Sequence, residues 1–452
     1  MNPSKMFNVL DVSKWHLNPY QILTLGFAVL ILAGTFLLML PLSSRSGQIL
    51  PFIDALFTAT SAACVTGLVV VDTGNYFSLF GQLVLICLIQ IGGLGIMTMT
   101  TLMAVILGRR IQLSNRLLIQ ESLNQLTYQG VVRLVLYVIK STLLIEFIGG
   151  SVLALRFAAD YGWAGVYYGY WHAVSAFCNA GFDVFGGTEI FRYIDDPVVS
   201  LGIPVMIILG GMGFSVLSDI WQNRHWQRIS VQSKVVLSMS GILLFVGTVV
   251  IFILEYTNEA TVGSLSLGGK VLASFFQSTT ARTAGYQMFN NGSLSEASLL
   301  FLLLLMFIGA SPGSTGGGIK TSTFAVIAAS IWSLVRGKPE VTLFKRSVDP
   351  QLIAKSLALF FIAATMIFVV TMYLCVSEQL PMIRVAFEVV SAFATVGLST
   401  GITPTLSAGG KFILVLMMLI GRVGIFTFAM AIALQGRKKG QLRHPQGKFT
   451  IG

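Results

Sequence analysis

Four stretches of this chain share one pattern: a short helical run carrying a hydroxyl, a few small residues, then a glycine followed by a bulky side chain. The glycines are Gly67, Gly181, Gly285 and Gly397. Six residues before them stand Ser61, Ser175, Thr279 and Ser391, two residues before them Val65, Asn179, Thr283 and Thr395, and directly after them Leu68, Phe182, Tyr286 and Leu398. Internal repetition constrains a fold more than local propensity does. Each copy reads as a short amphipathic helix that stops at a glycine able to adopt a backbone conformation closed to other residues.

Composition places these repeats in a membrane. Of 452 residues, 55% are hydrophobic and 10% charged, and the mean hydropathy is +0.81, far outside the range of soluble domains. Lys5, Asp11, Lys14 and His16 precede the first apolar run, and no small-residue cleavage site follows it, so the first span is expected to be retained. Cys64, Cys87, Cys178 and Cys375 lie in apolar or repeat stretches without metal-ligand spacing and are expected to be buried small hydrophobes.

The formal charge of +11 is distributed in a way that argues against nucleic acid. Basic residues cluster between apolar spans: Arg109, Arg110, Arg116, Arg133 and Lys140; Arg224, Arg228 and Lys234; Arg336, Lys338, Lys345, Arg346 and Lys355; Arg437, Lys438, Lys439, Arg443 and Lys448. The positive-inside rule makes these the cytoplasmic connections, recurring after every second span. Most acidic residues, among them Asp54, Asp72, Asp183, Glu255, Glu378 and Glu388, fall in the other connections, where their collective field attracts cations.

The first unit is expected to cross at about 21–42, enter and return through a short helix near 51–60, and cross again at about 80–107. A full crossing needs roughly 20 apolar residues, which the short helix lacks. Similar short helices are expected near 170–177, 270–280 and 382–393, with second spans near 199–221, 299–335 and 412–434. The units fall at 20–110, 111–232, 233–346 and 347–434, between a cytoplasmic N-terminus, 1–19, and a C-terminal tail, 435–452. Two full spans per unit return the chain to its starting side, so all copies share one orientation. The expected fold is an all-α integral membrane protein of four like-oriented span, pore-helix, span repeats around a pseudo-fourfold central pore. Inverted repeats would place alternate copies on opposite faces. Non-helical backbone at membrane depth must be buried in protein or line a water-filled path, and four segments around one axis can present carbonyls to a monovalent cation. The competing structural reading, glycines for helix packing, accounts less well for four matched copies.

Val65-Thr66-Gly67, Asn179-Ala180-Gly181, Thr283-Ala284-Gly285 and Thr395-Val396-Gly397 resemble the four selectivity-filter segments of the Trk/Ktr/HKT potassium transporter family, most nearly the bacterial Ktr membrane subunits. The resemblance runs from about Tyr20 to the end of the chain. It implies potassium uptake across a bacterial inner membrane, with both termini cytoplasmic. Glycine at all four positions resembles the potassium-selective members. The resemblance also implies a homodimer and a cytoplasmic ring of Rossmann-like, nucleotide-binding subunits of the KtrA type. Nucleotide would bind that partner only, no covalent cofactor is implied, and sodium dependence stays open. The basic connections are equally compatible with binding to anionic lipid alone.

A second feature follows the third glycine: the stretch 309–320 includes Gly313, Ser314, Thr315, Gly316, Gly317, Gly318 and Lys320. Its five glycines, at about 1 kcal/mol each, and one proline, at about 3, disfavour continuous helix. A helix break is expected there. A phosphate-binding loop does not fit, because Ile319 separates Gly318 from Lys320 and no strand precedes it. Similar loops in the family gate the pore below the filter. Milder glycine clusters recur at 92–95, 210–213 and 421–424, and only the last carries a charge, Arg422. A charge inside a span normally faces a polar interior. In the family the corresponding arginine contacts the gating loop; the plainer role is to tie helices together through carbonyls. Arg282 is expected to brace a pore helix or pair with a carboxylate, and His172 to be structural.

No metal cluster or nucleophile constellation suggests an enzyme, and Glu146 and Asp219 are lone acids near different spans. A channel-like potassium translocator with an intramembrane gate fits best, with a strictly coupled sodium or proton symporter as the alternative.

Overall fold

The computed structural model describes residues 19–96, 98–99, 101–102, 131–425 and 427–428. Arg109, Arg110, Arg116, Arg437, Lys438, Lys439, Arg443, Lys448 and the tail at 435–452 lie outside them. Among the described residues, four unbroken helices are long and apolar enough to cross a membrane: α1 (Pro19–Met39), α4 (Val131–Tyr161), α8 (Val231–Glu255) and α12 (Pro350–Glu378). Each is followed by a shorter helix: α2 (Phe52–Ala63), α5 (Trp163–Phe177), α9 (Leu267–Thr280) and α13 (Met382–Phe393). A 12-residue helix such as α2 or α13 is about 18 Å long and cannot cross a hydrocarbon core of about 30 Å. Their last turns are buried although rich in small and polar residues, as in Ala59, Thr60, Ser61, Ala62 and Ala63 of α2. Such a surface belongs against protein, because lipid gives polar groups no partner.

The second spans depart from expectation. Only the third was expected to break, yet all four do. α3 (Leu79–Leu94) ends at Gly95; α6 (Pro197–Gly211) and α7 (Phe214–Asn223) meet at 94°; α10 (Glu296–Phe307) and α11 (Thr321–Val335) flank the loop at 308–320; α14 (Ala408–Val423) ends at Gly424. Gly95, Gly213 and Gly424 take φ of 85°, 91° and 94°, a turn that L side chains resist. The glycine opening each cluster has a packing role instead. A Cβ on Gly92, Gly210 or Gly421 would overlap the carbonyl oxygen of Ala63, Phe177 or Phe393, where the preceding short helix ends. The second spans are thus pressed backbone to backbone onto the ends of the short helices.

Each second span begins at a side-chain cap. Ser78, Asp196, Ser295 and Ser407 accept hydrogen bonds from the first free N–H groups of α3, α6, α10 and α14. Two carboxylates reinforce them. Glu255, ending α8, accepts from Ser295 N, Ser295 Oγ and Ser298 Oγ, and Glu378, ending α12, accepts from Ser407 N and Oγ. These acids fasten one span of a repeat to the other as well as contributing charge. A two-stranded hairpin, Thr342–Leu343 with Arg346–Ser347, joins α11 to α12. Cys87 is exposed on α3, contrary to the expectation that all four cysteines are buried; Cys64 and Cys178 are buried and Cys375 is intermediate.

Candidate ion pathway

The glycine segments meet in a closed ring. A Cβ built on Gly67 would strike the carbonyl oxygen of Ala180, one on Gly181 that of Ala284, one on Gly285 that of Val396, and one on Gly397 that of Thr66. The cycle returns to its start after four steps. The position on Gly285 also comes within 3.2 Å of the Thr66 oxygen, on the segment two steps round the ring. All four glycine α-carbons therefore face a shared axis, and only hydrogen fits there.

Backbone conformation repeats with the same fidelity. Val65, Asn179, Thr283 and Thr395 take φ of 57°, 60°, 70° and 49°, and the glycines two residues on take 93°, 67°, 78° and 93°. Left-handed non-glycine residues cost on the order of 1–3 kcal/mol each, so four in register mark a conformation that the surrounding structure imposes. Thr66, Ala180, Ala284 and Val396, between them, are fully buried. Backbone bonds hold the strained turn: Thr66, Ala180 and Val396 donate to the carbonyls of Ser61, Ser175 and Ser391 at 2.7–2.8 Å.

The hydroxyls counted six residues back serve the same turn, with one exception. Ser61 and Ser391 accept from the N–H groups of Gly67 and Gly397 at 3.0 Å, and Ser175 donates to the Phe182 carbonyl at 2.9 Å. In the third copy the bracing hydroxyl is Thr280, which donates to the Tyr286 carbonyl at 2.8 Å; Thr279 bonds back within α9. The turn there is a residue longer, because α9 ends at Thr280, three residues before Thr283, whereas the other short helices end two before. His172 is fixed by the Tyr168 carbonyl at 2.7 Å and by Asp183 at 3.0 Å, in keeping with a structural part.

The loop at 308–320 lies directly against this ring. Gly317 N–H donates to Thr395 Oγ1 at 2.9 Å, and a Cβ on Gly316 would overlap Thr283 Oγ1. Thr283 Oγ1 in turn donates to the Asn179 side-chain oxygen at 3.2 Å, in the amide orientation that also lets Asn179 donate to the Ala176 and Ile207 carbonyls. Two strand-like contacts close the loop's base, Gly309 N–H to Ile319 O at 2.9 Å and Ala310 N–H to Gly317 O at 3.3 Å. Its flank docks on the second repeat: Ser311 and Thr315 donate to the Gly211 and Gly210 carbonyls, and Phe214 N–H donates to Gly313 O at 3.0 Å.

Two cations grip the loop. Lys320 Nζ donates to the Gly316 carbonyl at 2.8 Å, and Arg422 Nη1 donates to the Thr315 carbonyl. Arg422 Nη2 also donates to the carbonyls of Gly92 and, at 3.0 Å, Gly93 on α3. Arg422 thus touches both the loop and α3 through carbonyls. Gly313, Ser314, Gly316, Gly318, Lys320 and Arg422 line part of a cavity of about 630 Å³ whose lining includes none of the four ring glycines.

The partners of several site-supporting residues were not legible in the sequence. Lys411 of α14 bridges to Asp54 of α2 at 2.7 Å, joining the first and fourth repeats across 357 positions. Glu388 of α13 accepts from Ser399 Oγ, Thr400 N and Thr403 Oγ1 at 2.6–2.8 Å, so it holds the chain leaving the fourth glycine. Glu146 is buried within α4 and accepts from Gln90 Nε2 at 3.2 Å.

A family model described as TrkH, cation transport protein, matches residues 12–439. The chain is 43% identical to the Ktr system potassium uptake protein B of Bacillus subtilis (strain 168), over 98% of each chain. It is 37% identical to the potassium/sodium uptake protein NtpJ of Enterococcus hirae, over 96% of this chain and 98% of that one. Its fold resembles the crystal structure of the potassium transporter TrkH from Vibrio parahaemolyticus, with a TM-score of 0.69 at 18% identity, covering 93% of this chain and 86% of that one.

Proposed function

Since this chain belongs to the TrkH family of cation transport proteins, we propose that it takes up potassium across a membrane along the axis encircled by Gly67, Gly181, Gly285 and Gly397. The closed ring is the observation that carries this reading. Val65-Thr66-Gly67, Asn179-Ala180-Gly181, Thr283-Ala284-Gly285 and Thr395-Val396-Gly397 form the selectivity filter, and carbonyl oxygens replace the water around a monovalent cation. The C-terminal ends of α2, α5, α9 and α13 converge on it, each carrying the equivalent of roughly half a negative charge.

The segment from Gly313 to Gly318, with Lys320 and Arg422, is the gate. Translocation is channel-like, because the described site is a preformed ring closed by one loop. The strictly coupled sodium or proton symporter is the alternative reading. The names of the relatives support potassium as cargo, and that of the enterococcal relative keeps sodium in play as well. Membership in a transporter family speaks against an enzyme. The name "Ktr system" supports a partner subunit; a KtrA-type nucleotide-binding ring acting on a homodimer in a bacterial inner membrane, with both termini cytoplasmic, completes the proposal.

The test is potassium flux through the purified protein in sealed vesicles, with and without sodium and proton gradients. Dissipation of a potassium gradient on its own supports the pore. Flux that vanishes without a coupling gradient refutes it in favour of the symporter.

A further inference from the structure

Three residues before the filter glycines stand Cys64, Cys178, Arg282 and Ala394. Only the third copy places a charge at the end of its pore helix. Arg282 is 7% exposed. Its Nη2 donates to Ser240 Oγ of α8 at 3.0 Å, and its Nε has no protein partner. No carboxylate forms a salt bridge with it among the described residues. Beside it is a void of about 10 Å³, lined in part by Gly211, Ser240, Thr279 and Ala310, with room for about one water. Of the two roles open to it from sequence, pairing with a carboxylate is not seen among the described residues, and bracing alone does not call for a charge: a neutral side chain would bond Ser240 without burying one.

The charge does have an electrostatic consequence. Roughly half a negative charge resides at the C-terminal end of each pore helix. In α2, α5 and α13 no charged side chain occupies this slot; at α9 the whole positive charge of Arg282 outweighs it. We propose that Arg282 is a specificity-determining positioning residue, which weakens the filter's hold on its cation by cancelling the field of one pore helix. A filter must bind firmly enough to admit an ion and loosely enough to release it. The inference rests on the potassium-uptake reading above.

The experiment measures initial potassium uptake against concentration by the full chain in proteoliposomes. Two unit charges roughly 12 Å apart at an effective dielectric of about 20 change an affinity by about tenfold. Arg282→Gln is expected to lower the potassium concentration for half-maximal uptake by about that factor and to lower the maximal rate. Arg282→Lys, which keeps the charge, is expected to return the half-saturation toward that of the unaltered protein. Ser240→Asp retains the guanidinium and neutralises its field, so it should lower the half-saturation even if Arg282→Gln fails to assemble. A purely structural Arg282 would reduce the rate without tightening half-saturation. An unchanged or higher half-saturation in Ser240→Asp, or equal shifts in Arg282→Gln and Arg282→Lys, overturns the proposal. Failure of the unaltered protein to take up potassium refutes the underlying function instead.

Discussion

Replacing Arg422 with alanine should open the gate. In the closed arrangement Arg422 donates to the Thr315 carbonyl on the loop and to the Gly92 and Gly93 carbonyls on α3. Only the first bond acts on the loop directly, and a hydrogen bond to a charged group contributes about 1.5–3 kcal/mol. The neutral bonds from Ser311, Thr315 and Gly317 remain, so the loop stays docked on α6 and Thr395 for part of the time. Water in the cavity that Arg422 lines can solvate the freed Thr315 carbonyl, which places the loss at the lower end of that range. At 1.4 kcal/mol per factor of ten, the loop equilibrium shifts toward the displaced state by about tenfold. The assay is the initial rate of potassium efflux from vesicles of fixed protein content, with selectivity read from the reversal potential. A rise of about tenfold with unchanged selectivity is expected. Unchanged or lower flux from a correctly assembled Arg422→Ala protein would show that the arginine is a helix tie and no part of a gate.

Gly67→Ser and Gly397→Ser should each lower potassium selectivity over sodium in the same assay, because the new Cβ meets the carbonyl of Ala180 or Thr66 and φ is 93° in both; full selectivity in both would remove the ring from the ion path. Deleting 313–318 should raise flux without altering selectivity, since the filter glycines stay in place; abolished flux in an assembled protein would make the loop a structural kink. Glu388→Ala strips four hydrogen-bond donors of their acceptor just beyond Gly397 and should lower the thermal unfolding temperature, with potassium in the buffer restoring part of the loss.

The ring was legible because each copy could be checked against three others: a glycine that is ambiguous alone becomes a position when Val65, Asn179, Thr283 and Thr395 sit at one spacing from it. That same alignment misled at Thr279, since counting six back from Gly285 assumes that every turn is braced from the same position, and at the end of α9 it is Thr280, one residue nearer the glycine, that reaches the Tyr286 carbonyl. The breaks at Gly95, Gly213 and Gly424 were hidden because two or three glycines at about 1 kcal/mol each do not by themselves end an apolar helix, and tertiary packing on a pore-helix end decides whether it bends. The hairpin at 342–347 turns through Phe344 and Lys345 at φ of 47° and 64°, with none of the glycine or asparagine that announces such a turn. The pair Asp54 and Lys411 is invisible for another reason: only closure of the ring brings the first and last repeats together.

Where the four copies agree, they build what a symmetric axis needs; where they differ, the difference is a charge or an insertion. The second slot of the glycine cluster holds Gly93 and Gly211 in the first two repeats and Arg422 in the fourth, while the third repeat extends into the loop at 308–320. Arg422 and that loop are therefore complementary departures from one pattern, on adjacent repeats, and they meet at the Thr315 carbonyl. A single loop closing an axis from one side needs an anchor on another repeat, because bonds to its own repeat would move with it. The fourth and second repeats supply this, through Arg422 and Thr395 on one flank and Gly210 and Gly211 on the other. A partner that shifts the third repeat against the fourth would strain the Arg422 to Thr315 and Gly317 to Thr395 bonds together, since in both the donor and acceptor stand on opposite sides of that boundary.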